Sequence, residues 1–286
     1  MLASSVAHSA KNTDPKLLNP FDLVWDECSI WVTSKGSSEV IQYNSCGERQ
    51  TAVNVPTPTG ICIGKSEQSK CGKNKCVKTV YVASSGGSVY ILGGAPPASP
   101  TTASSGPQVH VTPGGVLAGI AWHKGKLYVA AYDAGYVGAY NGTTLELAIK
   151  DDALMAVGYK PYGVRCLEGL IYITYTNMSI RQGAGYVNVY DPKCGGGLRR
   201  IINRSNLSVS YGMFLQEDQL NVANSGTGYI SIFSRDEYCY THNVRNSSGG
   251  DVVLDGIMGI TQVKEKLYFV MSSDSGKVGS LGVMIP

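Results

Sequence analysis

The chain has few charged residues and few of the residues that build long helices. Charged residues make up 16% of its 286 residues, whereas an average soluble domain contains about a quarter. Glycine (35 residues) and tyrosine (18 residues) are abundant instead. Because this mixture suits short strands joined by tight turns, it favours an all-β protein over a helical one. The apolar content of 43% is enough for a buried core.

A dense basic stripe and a long apolar run are both missing from the sequence. The net charge of +3 is low for a protein that binds nucleic acid. The densest group of lysines falls in a predicted loop, where we expect it to be solvated: Lys65, Lys70, Lys73, Lys75 and Lys78. No stretch approaches the roughly 20 apolar residues of a membrane span. We therefore expect no nucleic-acid partner and no membrane insertion.

The N-terminus and the rest of the chain point to different cellular settings. The first residues, MLASSVAHSA, lack the basic start and the apolar run of a signal peptide. Eight cysteines and five Asn-x-Ser/Thr sequons favour an oxidising, extracellular setting. The sequons, which are candidate glycosylation sites, begin at Asn141, Asn177, Asn203, Asn206 and Asn246. The prediction is a location on an extracellular or particle surface, reached either after removal of a signal or by packaging into a particle such as a virion.

An apolar-aromatic-apolar triplet recurs six times along the chain, at intervals of roughly 44 to 50 residues. Five of the six triplets have an aromatic centre, and the remaining one, the fifth along the chain, has an asparagine. The centres are Trp31, Tyr81, Tyr128, Tyr172, Asn221 and Tyr268. Alternating apolar and polar runs flank each triplet and indicate half-buried strands. Units of this length with four strands each are typical of the blades of a β-propeller.

The repeats predict a single six-bladed β-propeller with four-stranded antiparallel blades. The blades are expected at about residues 20–56, 57–113, 114–151, 160–203, 209–245 and 256–286. The last unit stops after its third strand, which would leave an open strand edge. We therefore expect residues 4–9 to pair as the outermost strand of the sixth blade and close the ring. A β-sandwich with coincidental spacing is the alternative.

Both ends of the chain resemble a bacterial secreted propeller family of unassigned function. The start NTDPKLLNPFDLVW is similar to that family's tDPxLvNPWGLA, and the segment VLDGIMGITQVKEKLYFV is similar to its IDGLWGLAF…LYF ending. The resemblance implies a six-bladed ring like the NHL and gluconolactonase-like propellers, and it implies no activity. The chain departs from the family at Asp22, where the family has glycine, in its additional cysteines and in lacking a secretion signal.

The sequence contains no recognisable catalytic or metal-binding constellation. The four histidines are scattered over different predicted turns and strands, at His8, His110, His123 and His242. CxxC pairs, HExxH, EF-hand loops and G-x-S-x-G elbows are missing. We therefore predict no catalytic residue, no metal and no cofactor.

Blade geometry suggests disulfide pairs among the cysteines. Cys71 and Cys76 are expected to close a small loop, Cys28 to pair with Cys46, and Cys166 with Cys194. In the last two pairs the cysteines follow the first and third strands of one blade, whose ends are neighbours. Cys62, in an inner strand, is expected to be a buried free thiol.

Ligands of propellers usually meet the mouth of the central channel. The starts of the inner strands place aromatic and acidic side chains at one mouth, and the candidate binding residues there are Phe21, Asp22, Tyr162, Tyr211, Met258 and Asp255. The leading hypothesis is a non-catalytic interaction or structural module that binds a protein partner. One alternative is glycan binding through this aromatic rim. Another is a metal-dependent lactonase or hydrolase using Asp22 and Asp255, although calcium prefers 6–8 oxygen ligands.

Overall fold

The computed structural model describes residues 1–7, 9–66, 77–92, 108–180, 185–195, 197–245, 248–273 and 276–284. Several features singled out from the sequence lie outside these residues. They are His8, Lys70, Lys73, Lys75, the Cys71–Cys76 pair and the sequon at Asn246.

In these described residues, twenty-five strands form six sheets, five with four strands and one with five. Two short strands come first, β1 (Ala3–Ser4) and β2 (Asn12–Thr13). Blade 1 contains β3 (Pro20–Asp26), β4 (Ser29–Ser34), β5 (Glu39–Asn44) and β6 (Arg49–Asn54). Blade 2 contains β7 (Pro58–Ser66), β8 (Val77–Ser84), β9 (Val89–Leu92) and β10 (Gln108–Val111). Blade 3 contains β11 (Leu117–His123), β12 (Lys126–Ala131), β13 (Tyr136–Asn141) and β14 (Thr144–Ile149).

The second half of the chain repeats the same plan. Blade 4 contains β15 (Lys160–Leu167), β16 (Leu170–Thr176), β17 (Gly185–Tyr190) and β18 (Arg199–Ser205). Blade 5 contains β19 (Ser210–Gln216), β20 (Gln219–Asn224), β21 (Tyr229–Ser234) and β22 (Tyr240–Asn243). Blade 6 contains β23 (Ile257–Val263), β24 (Lys266–Ser273) and β25 (Val278–Met284). A five-residue helix, α1 (Asp152–Ala156), precedes blade 4, and no helix in the described ranges is long and apolar enough to cross a bilayer.

The six sheets form a closed ring around an axis. The first strand of each blade lies at one edge of its sheet, and it contacts the first strands of both neighbouring blades, including β23 with β3. These six strands are therefore innermost and surround a central channel. The predicted all-β, six-bladed propeller with four-stranded antiparallel blades is confirmed.

The N-terminal segment closes the ring, as predicted, but through fewer residues than expected. Strand β1 pairs antiparallel with β25, with Ala3 opposite Leu281 and Ser4 opposite Ser280. The strand ends there because the chain turns at Val6, whose carbonyl accepts a hydrogen bond from the Ser9 amide. The closing strand is thus Ala3–Ser4 instead of residues 4–9. Strand β2 then adds parallel to β1 as a fifth strand of this sheet.

One position in the inner strands is glycine in five of the six blades. In these blades it immediately precedes the residue at which pairing with the second strand resumes after a β-bulge. The glycines are Gly60, Gly119, Gly163, Gly212 and Gly259. Neighbouring backbones approach closely here: a Cβ atom on Gly163 would lie 2.1 Å from the carbonyl oxygen of Tyr211 in the next blade. In blade 1 the equivalent position is occupied by Asp22.

Candidate functional site in the central channel

Three aromatic side chains fill the channel where the inner strands begin. Phe21, Tyr162 and Tyr211 form an aromatic cluster with ring centroids 4.8 to 5.8 Å apart and nearly perpendicular rings. Met258 packs in the same core. Phe21 and Tyr162 are each 8% exposed and Tyr211 is 0% exposed. Edge-to-face contacts of this kind stabilise aromatic groups, so the cluster closes this end of the channel.

Asp22 lies directly behind the aromatic cluster and is completely buried. Its Oδ1 accepts hydrogen bonds from the Leu23 amide at 2.8 Å and from the Arg165 guanidinium. Its Oδ2 accepts from the Ile61 amide at 3.1 Å and from the Tyr211 hydroxyl at 3.0 Å. Four donors from four blades therefore satisfy a carboxylate that replaces the glycine of the other blades.

The ion pair between Asp22 and Arg165 crosses the axis of the ring, since blades 1 and 4 lie opposite each other. Burial lowers the pKa of Arg165, but the nearby Asp22 carboxylate and Tyr211 outweigh this effect, so the pKa lies above its ordinary value. Burial also raises the pKa of Tyr211, and Asp22 raises it further. The guanidinium stays charged and the phenol stays neutral, which keeps all four hydrogen bonds to Asp22 in place.

A cavity of about 1250 Å³ occupies the rest of the channel. It is lined by the second halves of the inner strands and by turns between the first and second strands, so it opens at the end opposite the aromatic cluster. Arg165 lies at its inner end, and its wall includes Trp25, Trp122, Gln216, Thr261 and Gln262. We call this space the channel cavity.

Charged residues surround the outer part of the channel cavity. The ammonium group of Lys78 lies 2.6 Å from the Asp26 carboxylate and 2.5 Å from that of Glu27. These two hydrogen bonds raise the pKa of Lys78. Glu217 and Glu265 are exposed at the same end. The opening is therefore polar, and part of its charge is neutralised by internal pairing.

A thiol and an imidazole meet where blades 3 and 4 adjoin. The Sγ atom of Cys166, which lines the channel cavity, is 3.3 Å from Nδ1 of His123. Burial raises the pKa of Cys166. Burial lowers the pKa of His123, and Lys124 lowers it further. Both groups are therefore mainly neutral near pH 7, which is the opposite of an activated thiolate–imidazolium pair.

The predicted disulfides Cys28–Cys46 and Cys166–Cys194 are wrong for this structure, in which the six described cysteines are free. The side chains turn to other partners: Cys166 contacts His123, and the Sγ of Cys194 lies 3.3 Å from a carboxylate oxygen of Asp191. Neighbouring blade ends bring backbones near each other without directing two Cβ atoms at each other, which a disulfide requires. Cys62 is a buried free thiol, as predicted.

The structure brings together most of the candidate binding residues at the closed end of the channel. Phe21, Tyr162, Tyr211 and Met258 belong to one core cluster, and Asp22 bonds to Tyr211. Asp255 stays outside this group: it is exposed and lies beside Gly228 of blade 5. Because the rings pack against one another, they present no free face for a sugar in this conformation.

None of the residues that line the channel cavity was predicted from the sequence to bind a ligand. Arg165 had a visible signal, because it is a charged residue within an otherwise apolar inner strand, YGVRCL. Its partner Asp22 is 143 residues away, so no local pattern links them. Trp25, Trp122 and Gln262 sit near the ends of inner strands, where they resemble ordinary packing residues.

The donor set does not fit the calcium site of a gluconolactonase-like propeller. All four hydrogen bonds to the Asp22 carboxylate come from groups that a cation would have to displace. Within the described ranges, no three His, Cys, Asp or Glu side chains lie close enough to hold a metal ion.

Four of the predicted glycosylation sites lie at the molecular surface. Asn141, Asn203 and Asn206 are exposed, and Asn177 is half-buried in the loop after β16. Its side-chain amide approaches the carbonyl oxygen of Val157.

Sequence comparison finds viral relatives. No family model matches the chain. It is 24% identical over 317 residues to the uncharacterized protein L690 of Acanthamoeba polyphaga mimivirus. This alignment covers 95% of this chain and 82% of the relative. It is 22% identical over 321 residues to the uncharacterized protein R648 of the same virus, with coverage of 98% and 78%.

Structural comparison finds two lyases and one chain of a protein complex with similar folds. Virginiamycin B lyase from Staphylococcus aureus matches 93% of this chain and 80% of its own, with a TM-score of 0.59 and 11% identity. A streptogramin B lyase matches 94% and 95%, with a TM-score of 0.58 and 11% identity. A chain of a nidogen/laminin complex matches 87% and 90%, with a TM-score of 0.57 and 12% identity. At such low identity these likenesses establish the six-bladed propeller fold and nothing about activity.

Proposed function

We propose that this propeller is a non-catalytic interaction module that receives a partner in the channel cavity. The observation that carries the proposal is the one-ended shape of the channel. The aromatic cluster and the Asp22–Arg165 pair close one end, and a cavity of about 1250 Å³ opens at the other. Binding sites are typically concave and hold several hundred cubic ångströms, so the cavity is large enough for a ligand or for the end of a partner.

The chemistry of the cavity wall favours recognition over catalysis. Several of its charged groups pair with one another: Lys78 binds Asp26 and Glu27, and Arg165 binds the buried Asp22. The thiol of Cys166 is not activated by His123, because burial raises the pKa of Cys166 and lowers the pKa of His123, and both changes favour the neutral form. A metal-dependent lactonase would need free carboxylate oxygens, which Asp22 does not offer. These features support a binding role.

Occupancy of the channel cavity can be tested through Cys166. This half-buried thiol lines the cavity, whereas Cys239 is exposed in the turn before β22 and does not line it. We call the protein isolated from its native source together with its partners the native assembly. We expect N-ethylmaleimide to modify Cys166 at least fivefold more slowly in the native assembly than in the purified protein. The rate at Cys239, measured by peptide mass spectrometry in the same samples, serves as the control. Equal rates at Cys166 in both samples would contradict the proposal.

We further propose that the module is displayed on a particle or extracellular surface. Two mimivirus proteins cover nearly the whole chain in alignment, and exposed sequons at Asn141, Asn203 and Asn206 are compatible with such a location. Mass spectrometry of purified particles from the native source should detect the chain, and surface biotinylation of intact particles should label it. Detection only in the soluble fraction of infected or producing cells would refute this location.

A further inference from the structure

We infer that the channel cavity binds the end of a neutral glycan, an inference that rests on the proposed role of this cavity as the interaction site. The wall of the cavity carries both hydrogen-bond donors and acceptors, and it includes partly exposed tryptophans. The inner end of the cavity, formed by the Asp22–Arg165 ion pair, has no net charge. Each of these features matches a ligand that carries many hydroxyl groups and no charge.

The inner strands present backbone to the cavity. Each is the edge strand of its sheet, so one row of its amide and carbonyl groups is not used in sheet pairing. Ile61, Ile120 and Ile260 of these strands are buried in core clusters, whereas Val24, Ile63 and Leu215 are partly exposed at the wall. A sugar hydroxyl both donates and accepts hydrogen bonds, so it can pair with either kind of backbone group.

The floor of the cavity is the Asp22–Arg165 ion pair, of which only the guanidinium is exposed to the cavity. Asp22 has no exposed surface, while the Arg165 side chain is 14% exposed. A guanidinium has five N–H donors, and among the described residues Arg165 donates to the Val164 carbonyl and to Asp22. Its remaining donors suit a neutral oxygen. An anion is less suitable, because the Asp22 carboxylate already neutralises the guanidinium.

The middle of the wall carries neutral polar and aromatic side chains. Thr261, Gln262 and Gln216 are all partly exposed there. Glutamine amides offer a donor and an acceptor in one plane. Trp25 and Trp122 are also partly exposed, and the Trp122 ring stacks on Tyr81 at 5.3 Å, which fixes its orientation. Tryptophan combines an apolar face with a polar edge, and thus suits the C–H face of a sugar ring.

The experiment uses an array of neutral and acidic oligosaccharides, followed by calorimetry with the best ligand. We expect the full-length protein to bind neutral members of the array. Thr261→Val and Gln262→Leu should each weaken the affinity at least tenfold. Gln50→Leu, which alters an exposed residue on the outermost strand of blade 1, should leave it unchanged. Thermal unfolding of each variant verifies that the fold is retained.

The outcomes separate this inference from the proposal beneath it. Neutral glycans that fail to bind, or that bind equally well to Thr261→Val, Gln262→Leu and the wild type, overturn the glycan inference. If Cys166 is still protected in the native assembly, the cavity holds another partner, such as a peptide pairing with the strand edges, and its role as an interaction site stands. If Cys166 is unprotected there, that role itself is refuted. A ligand that binds and slows Cys166 modification in the purified protein supports both.

Discussion

A carboxylate with no exposed surface is costly to bury unless its oxygens receive hydrogen bonds. Asp22 receives four, from Leu23, Ile61, Arg165 and Tyr211. The cost of removing it falls on its partners, because the buried guanidinium and phenol would then lack an acceptor. Breaking a buried pair on one side is more damaging than never having had it. This single residue thus distinguishes blade 1 from the other five.

We predict that Asp22→Gly, which restores the residue of the other blades, destabilises the protein. The expected loss is about 3–5 kcal/mol in the free energy of unfolding, because Arg165 is left as an uncompensated buried charge. Urea denaturation followed by circular dichroism measures it. Asp26→Asn is the matched control: Asp26 pairs with Lys78 nearer the surface, so its loss should cost less than about 1 kcal/mol. We call the Asp22–Arg165 ion pair the axial pair. Similar losses of unfolding free energy in the two variants would show that the axial pair stabilises the protein no more than the Asp26–Lys78 pair does.

His123 gives the stability a dependence on pH. Burial lowers its pKa from the ordinary 6.5, and Lys124 and Lys193 lower it further, while Asp191 acts in the opposite direction. The unfolded chain therefore binds a proton at this residue more readily than the folded protein does. Stability should fall as the pH drops below about 6.5. Because burial also lowers the pKa of His110, that residue contributes in the same direction.

The measurement is the melting temperature at pH 7.5 and pH 5.5 for the wild type and for His123→Gln. We expect the decrease between the two pH values to be smaller in the variant, since one proton-linked contribution has been removed. His242→Gln, which changes a histidine on β22 at the outer edge of blade 5, provides the control variant. A decrease as large in His123→Gln as in the wild type would rule out this histidine as a source of the dependence.

At the scale of elements, the ring depends on a closing strand of only two residues. Ala3 is fully buried in the sixth blade, and the Asn12 side chain links the segment to the carbonyl oxygens of Leu2 and Cys46. Asp14 continues this connection into blade 1, where it accepts hydrogen bonds from Tyr43 at 2.7 Å and Arg49 at 3.0 Å. The segment therefore joins the last blade to the first through side chains as well as through strand pairing.

Removal of residues 1–13 should lower the melting temperature by roughly 5 °C or more and promote self-association. The deletion takes away β1 and β2 and exposes the outer edge of β25, and an unpaired edge is a template for pairing with another chain. Size-exclusion chromatography with light scattering measures the association. Val6→Asp changes an exposed residue in the turn after β1 and should alter neither property. A monomeric, equally stable deletion variant would contradict the importance of this segment.

For the whole molecule, the repeat predicted the ring because blades can bury their faces only against one another. Six triplets at a regular interval therefore specify six blades, and the missing fourth strand of blade 6 specifies closure by the N-terminus. The partners of the cysteines and the channel cavity were not predictable in the same way. Cys166 faces His123 and Arg165 reaches Asp22, and both contacts depend on side-chain directions in three dimensions. The sequence showed that Asp22 replaces a glycine of the family it resembles, but it did not show the partners of Asp22.

The same connections should make the ring unfold as one unit. Strand β23 contacts β3 to close the circle, and the hydrogen bonds of Asp22 join blades 1, 2, 4 and 5. A blade that opened alone would break bonds in its neighbours and across the axis, so partial unfolding gains little. Tryptophans in blades 1 and 3 report on local structure, and circular dichroism reports on all six sheets.

We therefore expect tryptophan fluorescence and circular dichroism to give coincident urea transitions for the wild type. Combining Asp22→Gly with removal of residues 1–13 eliminates both the axial link and the closing strand. Nearest-neighbour contacts alone then hold the blades, as in an open repeat protein, and the two transitions should separate. Either single change should leave them coincident at a lower midpoint, because one of the two connections remains. Separate transitions in the unmodified protein would mean that the axial pair does not couple the blades.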